Sequence, residues 1–177
     1  MTTRSAVGCV TLSVILALSG FRSVAWSQES EVPLNKVPRA VMNAAKAKFP
    51  GAKIKEAGKE TEEGKTLYEL EMTHKGQRMD VSFQPDGTLV VVETRVARKD
   101  LPEKVLGAVK AKYPHAKIVL AESVRKGPKV SSKVDFYELH LTAANKKIEL
   151  EISPAGKILN TEVKKAAKEE DEEDEKD

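Results

Sequence analysis

Apolar residues along this chain follow two different periods. Val37, Val41, Ala44, Ala45 and Phe49 recur at helical spacing, as do Leu101, Val105, Ala108, Val109 and Tyr113. Pro50 and Pro114 close both runs, since proline cannot donate to a helix and clashes with the turn before it. Asp100 followed by Glu103 has the spacing of a capping box, with Pro102 tolerated in the first turn. After each helical run the period drops to two. Tyr68, Leu70 and Met72 alternate with Glu69 and Glu71, and Met79, Val81 and Phe83 with Arg78, Asp80 and Ser82. Further on, Tyr137, Leu139 and Leu141 alternate with Glu138 and His140, and Ile148, Leu150 and Ile152 with Lys147, Glu149 and Glu151. Each such strand has one apolar and one polar face. Pro85-Asp86-Gly87 and Pro154-Ala155-Gly156 read as turns into a last strand, and strands around Ile54 and Ile118 come first. The predicted unit is α-β-β-β-β, an antiparallel sheet with its helix on the apolar face, and the fold class is α+β.

This unit occurs twice. Lys46-Ala47-Lys48-Phe49-Pro50 recurs as Lys110-Ala111-Lys112-Tyr113-Pro114, 64 positions on. Tyr68-Glu69-Leu70 recurs as Tyr137-Glu138-Leu139, 69 positions on, so the second copy carries five extra residues within 125–133. Ordered matches on both sides of one insertion mark a duplication. The expected boundaries are a linker over 28–35, a first repeat over 36–97 and a second over 98–163. A unit of about 60 residues buries too little surface to be secure alone, so the two are expected to join in one continuous sheet.

The two ends of the chain have a different character. Residues 1–27 read as a secretory signal peptide, with Arg4 ahead of a short apolar run and small residues, Ala25 and Ser27, before a cleavage point at Gln28. That run falls short of the about 20 residues that span a bilayer, so no stable membrane span is expected after cleavage, and the protein is expected in the periplasm or secreted. Residues 164–177 contain eight carboxylates and four lysines and are expected to form a disordered acidic tail. The formal +3 of the whole chain thus averages a signal of +2, a body of +5 and a tail of −4. The single cysteine, Cys9, lies in the signal, which excludes thiol catalysis and disulfides from the mature form.

Candidate chemistry is sparse. No nucleophile motif, phosphate loop or dinucleotide fingerprint is present, no cofactor is expected, and the chain is expected not to be an enzyme. His74 and His115 fall in predicted turns, exposed to solvent. His140 shares a strand face with Glu138, and a neighbouring strand would bring Glu149 and Glu151 to the same face, a set able to hold a divalent cation. An ordinary solvated sheet face has the same alternation. The insertion is basic, and Arg125, Lys126, Lys129 and Lys133, with Phe136 as the one aromatic expected to face outward, are the candidate partner-binding residues. A body charge spread over both units, without exposed stacking aromatics, argues against a nucleic-acid partner. Oligomeric state is not legible.

A helix opening Leu/Val-Pro-x-x-Val, then Phe/Tyr-Pro-x-Ala, Tyr-Glu-Leu and Pro-x-Gly, resembles the PepSY-like family of exported bacterial proteins, also described as similar to beta-lactamase-inhibitor proteins. The resemblance covers roughly residues 36–162 in two copies. It implies a helix on an antiparallel sheet, export, and a non-catalytic module that binds, inhibits or regulates a peptidase or another envelope protein. A periplasmic small-ligand or metal-binding protein using the acidic sheet face is the alternative. The absence of disulfide cysteines and the scarcity of outward aromatics set the chain apart from the beta-lactamase inhibitors.

Overall fold

The computed structural model describes residues 30–62, 64–128 and 132–165. The predicted signal, Lys129 and residues 166–177 of the predicted tail lie outside the described residues. The order of elements is β1 (Ser30–Glu31), α1 (Arg39–Lys48), β2 (Lys53–Glu62), β3 (Lys65–His74), β4 (Gln77–Phe83), β5 (Leu89–Arg95), α2 (Glu103–Lys112), β6 (Lys117–Lys126), β7 (Phe136–Ala143), β8 (Lys146–Ile152) and β9 (Ile158–Lys165). Short 3-10 turns, Leu34–Lys36 and Arg98–Asp100, precede the two helices.

The nine strands found among the described residues lie in one antiparallel sheet whose spatial order is the chain order. The two units are joined through β5 and β6, paired from Val91 opposite Lys126 to Arg95 opposite Glu122. The expected continuous sheet is present, and the α+β class with it.

Both helices pack on one face. Val41 and Ala45 of α1 and the following Phe49 are buried with Leu70, Met72, Val81 and Phe83. Val105 and Val109 of α2 are buried with Leu139, Leu150 and Ile152. These are the apolar positions of the two-residue alternation, which explains why the pattern alone assigned the core correctly. Burying a side chain of this size contributes about 1.5–3 kcal/mol, so each cluster outweighs what its short helix could supply through intrinsic propensity.

The Pro-x-Gly turns have a packing reason. Gly87 has φ +86°, and a Cβ there would sit 2.7 Å from the Ala40 carbonyl oxygen. Gly156 has φ +85°, with the Lys104 carbonyl oxygen 2.6 Å from the same imagined atom. In each unit the turn before the last strand is pressed against the first turn of the helix, where only glycine fits. The duplication extends to irregularities: bulges fall between Ile54 and Glu56 and between Ile118 and Leu120.

Four expectations are corrected. Asp100 belongs to a 3-10 turn and makes no cap; α2 starts after Pro102 with no side-chain cap bond, because the chain enters through an extended Leu101–Pro102. The linker contains β1, which adds an edge strand by pairing Ser30 with Lys59 and Glu31 with Gly58. Arg125 and Lys126 are strand residues, held in β6 by pairing with Val92 and Val91. Lys164 and Lys165, assigned to the tail, extend β9 opposite Lys147 and Lys146.

Candidate functional site: the helix-free face of the sheet

Because successive side chains in a strand point to opposite faces, the polar half of each alternation lands on the face away from the helices. Cross-strand pairing then brings together residues far apart in sequence. Glu71 lies opposite Asp80, and Asp80 opposite Glu93. Arg95 lies opposite Glu122, and Glu122 opposite Glu138. Glu138 in turn faces Glu151, His140 faces Glu149, and Glu149 faces Glu162. A body that is basic overall therefore carries a carboxylate-rich face.

The centre of this face is crowded. Glu93 is 2% exposed, Glu122 5% and Glu138 2%. Beside them Val91, Val124 and Phe136 form a small apolar cluster across the seam between the units. Burial, reinforced by the charges of Glu138, Glu122, Glu69 and Asp80, pushes the Glu93 carboxyl well above the usual range. Its Oε1 has no hydrogen-bond partner among the described residues. Burial raises Glu122 to about 7 against the opposing charge of Arg95. Arg95 Nε stands 3.1 Å from Glu122 Oε1, a distance of ion pairing, though the N–H is not aligned for a hydrogen bond.

On the second unit, Glu138, His140 and Glu149 each offer a ligand atom, and these atoms lie within 4.8 Å of one another. His140 Nε2 and Glu138 Oε1 share a hydrogen bond of 3.0 Å. Burial lowers the basicity of His140, but the bond to Glu138 and the surrounding carboxylates outweigh it and the net shift is upward. Burial and the Glu138 charge raise Glu149 to about 7. Burial likewise raises Glu151. The first unit holds Glu69, Glu71 and Asp80 at the matching positions, but there Arg78 donates to Glu71 at 2.8 Å and Lys55 at 3.4 Å.

The structure separates the residues singled out from sequence. Glu138, His140 and Glu149 converge, with Glu151 opposite Glu138 on the next strand. Of the basic set, Arg125 and Lys126 point to opposite faces: Arg125 donates to Ser123 Oγ at 3.0 Å, whereas Lys126 lies over the Phe136 ring, 5.2 Å from its centre. Lys133 is exposed on the β6–β7 connection, and Lys129 is not among the described residues. Phe136 does face away from the helices, but it is 5% exposed, because Val91 and Val124 pack against it, and so it is a packing residue and not an exposed anchor. His74 is half-buried with its ring edge-on to Phe49 at 5.8 Å, since β3 extends through it; His115 is exposed in a turn as expected. Sequence reasoning missed Glu93 and Glu122. A signal existed: each is an acid directly after a run of four apolar residues, Leu89-Val90-Val91-Val92 and Ile118-Val119-Leu120-Ala121.

A family model described as "Putative beta-lactamase-inhibitor-like, PepSY-like" matches residues 22–91 and 66–160. No curated protein matches the sequence. Among solved structures, a DUF2874 family protein from Bacteroides uniformis superposes with a TM-score of 0.59 at 19% identity, over 71% of this chain and 88% of that one. A BLIP-like protein from Bacteroides fragilis gives 0.58 at 20% identity, over 75% and 90%. A protein from Bacteroides eggerthii described as a "putative periplasmic" protein gives 0.61 at 18%, over 75% and 93%. At these identities the likeness is one of fold. Among the described residues, no helix is long and apolar enough to cross a membrane.

Proposed function

Because the chain belongs to the PepSY-like, beta-lactamase-inhibitor-like family, we propose that it is an exported, non-catalytic binding module whose helix-free sheet face receives a lysine- and arginine-rich segment of an envelope peptidase. One observation carries the reading. The face concentrates carboxylates around Glu93, which is buried, surrounded by like charge and without a hydrogen-bond partner on Oε1. Burial makes ionising Glu93 costly, and a cationic side chain entering beside it would favour the ionised form and pair with it. The same charge would steer a basic partner and reject an acidic one. Among the described residues of this face there is no activated nucleophile. The name of the Bacteroides fragilis neighbour and the family description both point towards inhibitor-like binding.

The test is site-specific photo-crosslinking in the source cell's envelope. A crosslinker at Thr73, on the helix-free face, should give a discrete adduct with a peptidase, lost in Glu93→Lys. A crosslinker at Ala47, on the outer side of α1, should give none. The purified pair should show reduced peptidase activity that returns at high salt, where exposed charges are screened. Equal adducts from both positions, or an adduct indifferent to Glu93→Lys, would refute the assignment of this face.

A further inference from the structure

We propose that Glu138, His140 and Glu149 form a binding site for one first-row divalent metal ion, zinc foremost, on the helix-free face of the second unit. The three ligand atoms lie within 4.8 Å of one another. Around a metal with bonds of about 2.0–2.2 Å, donor atoms sit about 3.0–3.5 Å apart, so small side-chain rotations close the set. The donors are held by rigid neighbours: His140 and Glu149 are a directly paired cross-strand couple, and Glu138 is two residues along the same strand face. One imidazole with two carboxylates suits zinc, manganese or iron, and not calcium, which takes six to eight oxygens.

Two further observations point to a missing cation. Glu93 is almost wholly buried, its Oε1 is unpartnered, and of the charges around it Glu138 acts on it most strongly. The duplication supplies an internal comparison. In the first unit Glu71, at the position that His140 takes in the second, is paired with two cations, Arg78 and Lys55. In the second, Arg78 is replaced by Lys147, which makes no ion pair among the described residues, and the matching cluster holds one hydrogen-bonded histidine. The fold thus presents the same cluster twice, once with an acid paired to Arg78 and Lys55, and once with a histidine beside two carboxylates and no lysine or arginine paired to Glu138 or Glu149 among the described residues. This site does not rest on the peptidase reading, and its test needs no partner.

The experiment is isothermal titration of the full chain, stripped with chelator, against zinc chloride, with calcium chloride in parallel. Zinc should bind at one per chain, more tightly than calcium. Glu149→Gln and His140→Gln should each weaken zinc by at least about tenfold, as loss of a ligand contact does, while Glu71→Gln leaves it unchanged. Circular dichroism confirms that each variant folds. As a second readout that needs no variant, the His140 ring resonances should move on adding zinc. No zinc binding up to about 1 mM, the weak limit of specific association, would overturn the site. So would calcium binding more tightly, or zinc binding that is unchanged in both variants and leaves His140 unmoved, which would place the ion elsewhere, on the acidic run over 169–175.

Discussion

Glu122→Gln offers a direct measure of how strongly the sheet face resists charge. In the fold this carboxyl titrates near 7, against an ordinary 4.5, chiefly because it is buried. The folded state therefore holds the proton more tightly than the unfolded chain does. Such a group stabilises the fold fully below 4.5, and that contribution is lost as pH rises through 7. At 1.36 kcal/mol per pH unit the full loss is about 3 kcal/mol, an upper figure because the surrounding acids titrate together. Glutamine cannot ionise. Urea unfolding of the full chain in chelator should find wild type and Glu122→Gln close at pH 4.5. By pH 8 the variant should be the more stable by about 2–3 kcal/mol, after allowing for the lost contact with Arg95. In melting temperature this is about 6–12 °C for a fold of this size. An equal pH dependence in the two proteins would show that Glu122 is as well solvated in the fold as out of it. The picture of a crowded, charge-averse centre would then fall.

Other expectations follow from the packing. Gly87→Ala should cost about 2–4 kcal/mol, because it adds a clash with Ala40 to a left-handed backbone; Gly76→Ala, at φ +80° with nothing within 4 Å, should cost only about 1–2 kcal/mol, and denaturant melts of the pair would isolate the helix contact. Phe136→Ala should cost about 3–5 kcal/mol by emptying the seam it fills with Val91 and Val124, and a loss under 1 kcal/mol would show that the two units do not depend on this contact. Arg78→Ala should change stability by less than about 1 kcal/mol, since its partner Glu71 is only partly buried and the guanidinium is half exposed.

Much of this architecture is local information. A period of 3.6 giving way to a period of two identifies the helices and strands and says which side of each is apolar, because burial of a stripe or a face is what holds such elements in place. The repeated Pro-x-Gly marks the turns, and the duplication implies that the units share one plan. Even the Glu138, His140 and Glu149 set was legible, because those residues lie in one predicted hairpin whose short turn sets the register. The capping box at Asp100 misled, since two residues of extended chain separate it from the helix and spacing alone does not reveal backbone direction.

What the linear pattern could not supply is the β5–β6 junction and its consequences. Val91 and Lys126 are paired across an intervening helix and two connections, and nothing in either strand specifies that register. The junction sets Glu93 beside residues of the second unit and closes Val91, Val124 and Phe136 into one cluster. It turns an aromatic that local alternation placed in solvent into a buried one. It also turns ordinary glutamates into carboxyls that resist ionisation. Alternation determines the side of the sheet a residue occupies; how much water reaches it depends on neighbours contributed by distant strands, and those exist once the chain has folded.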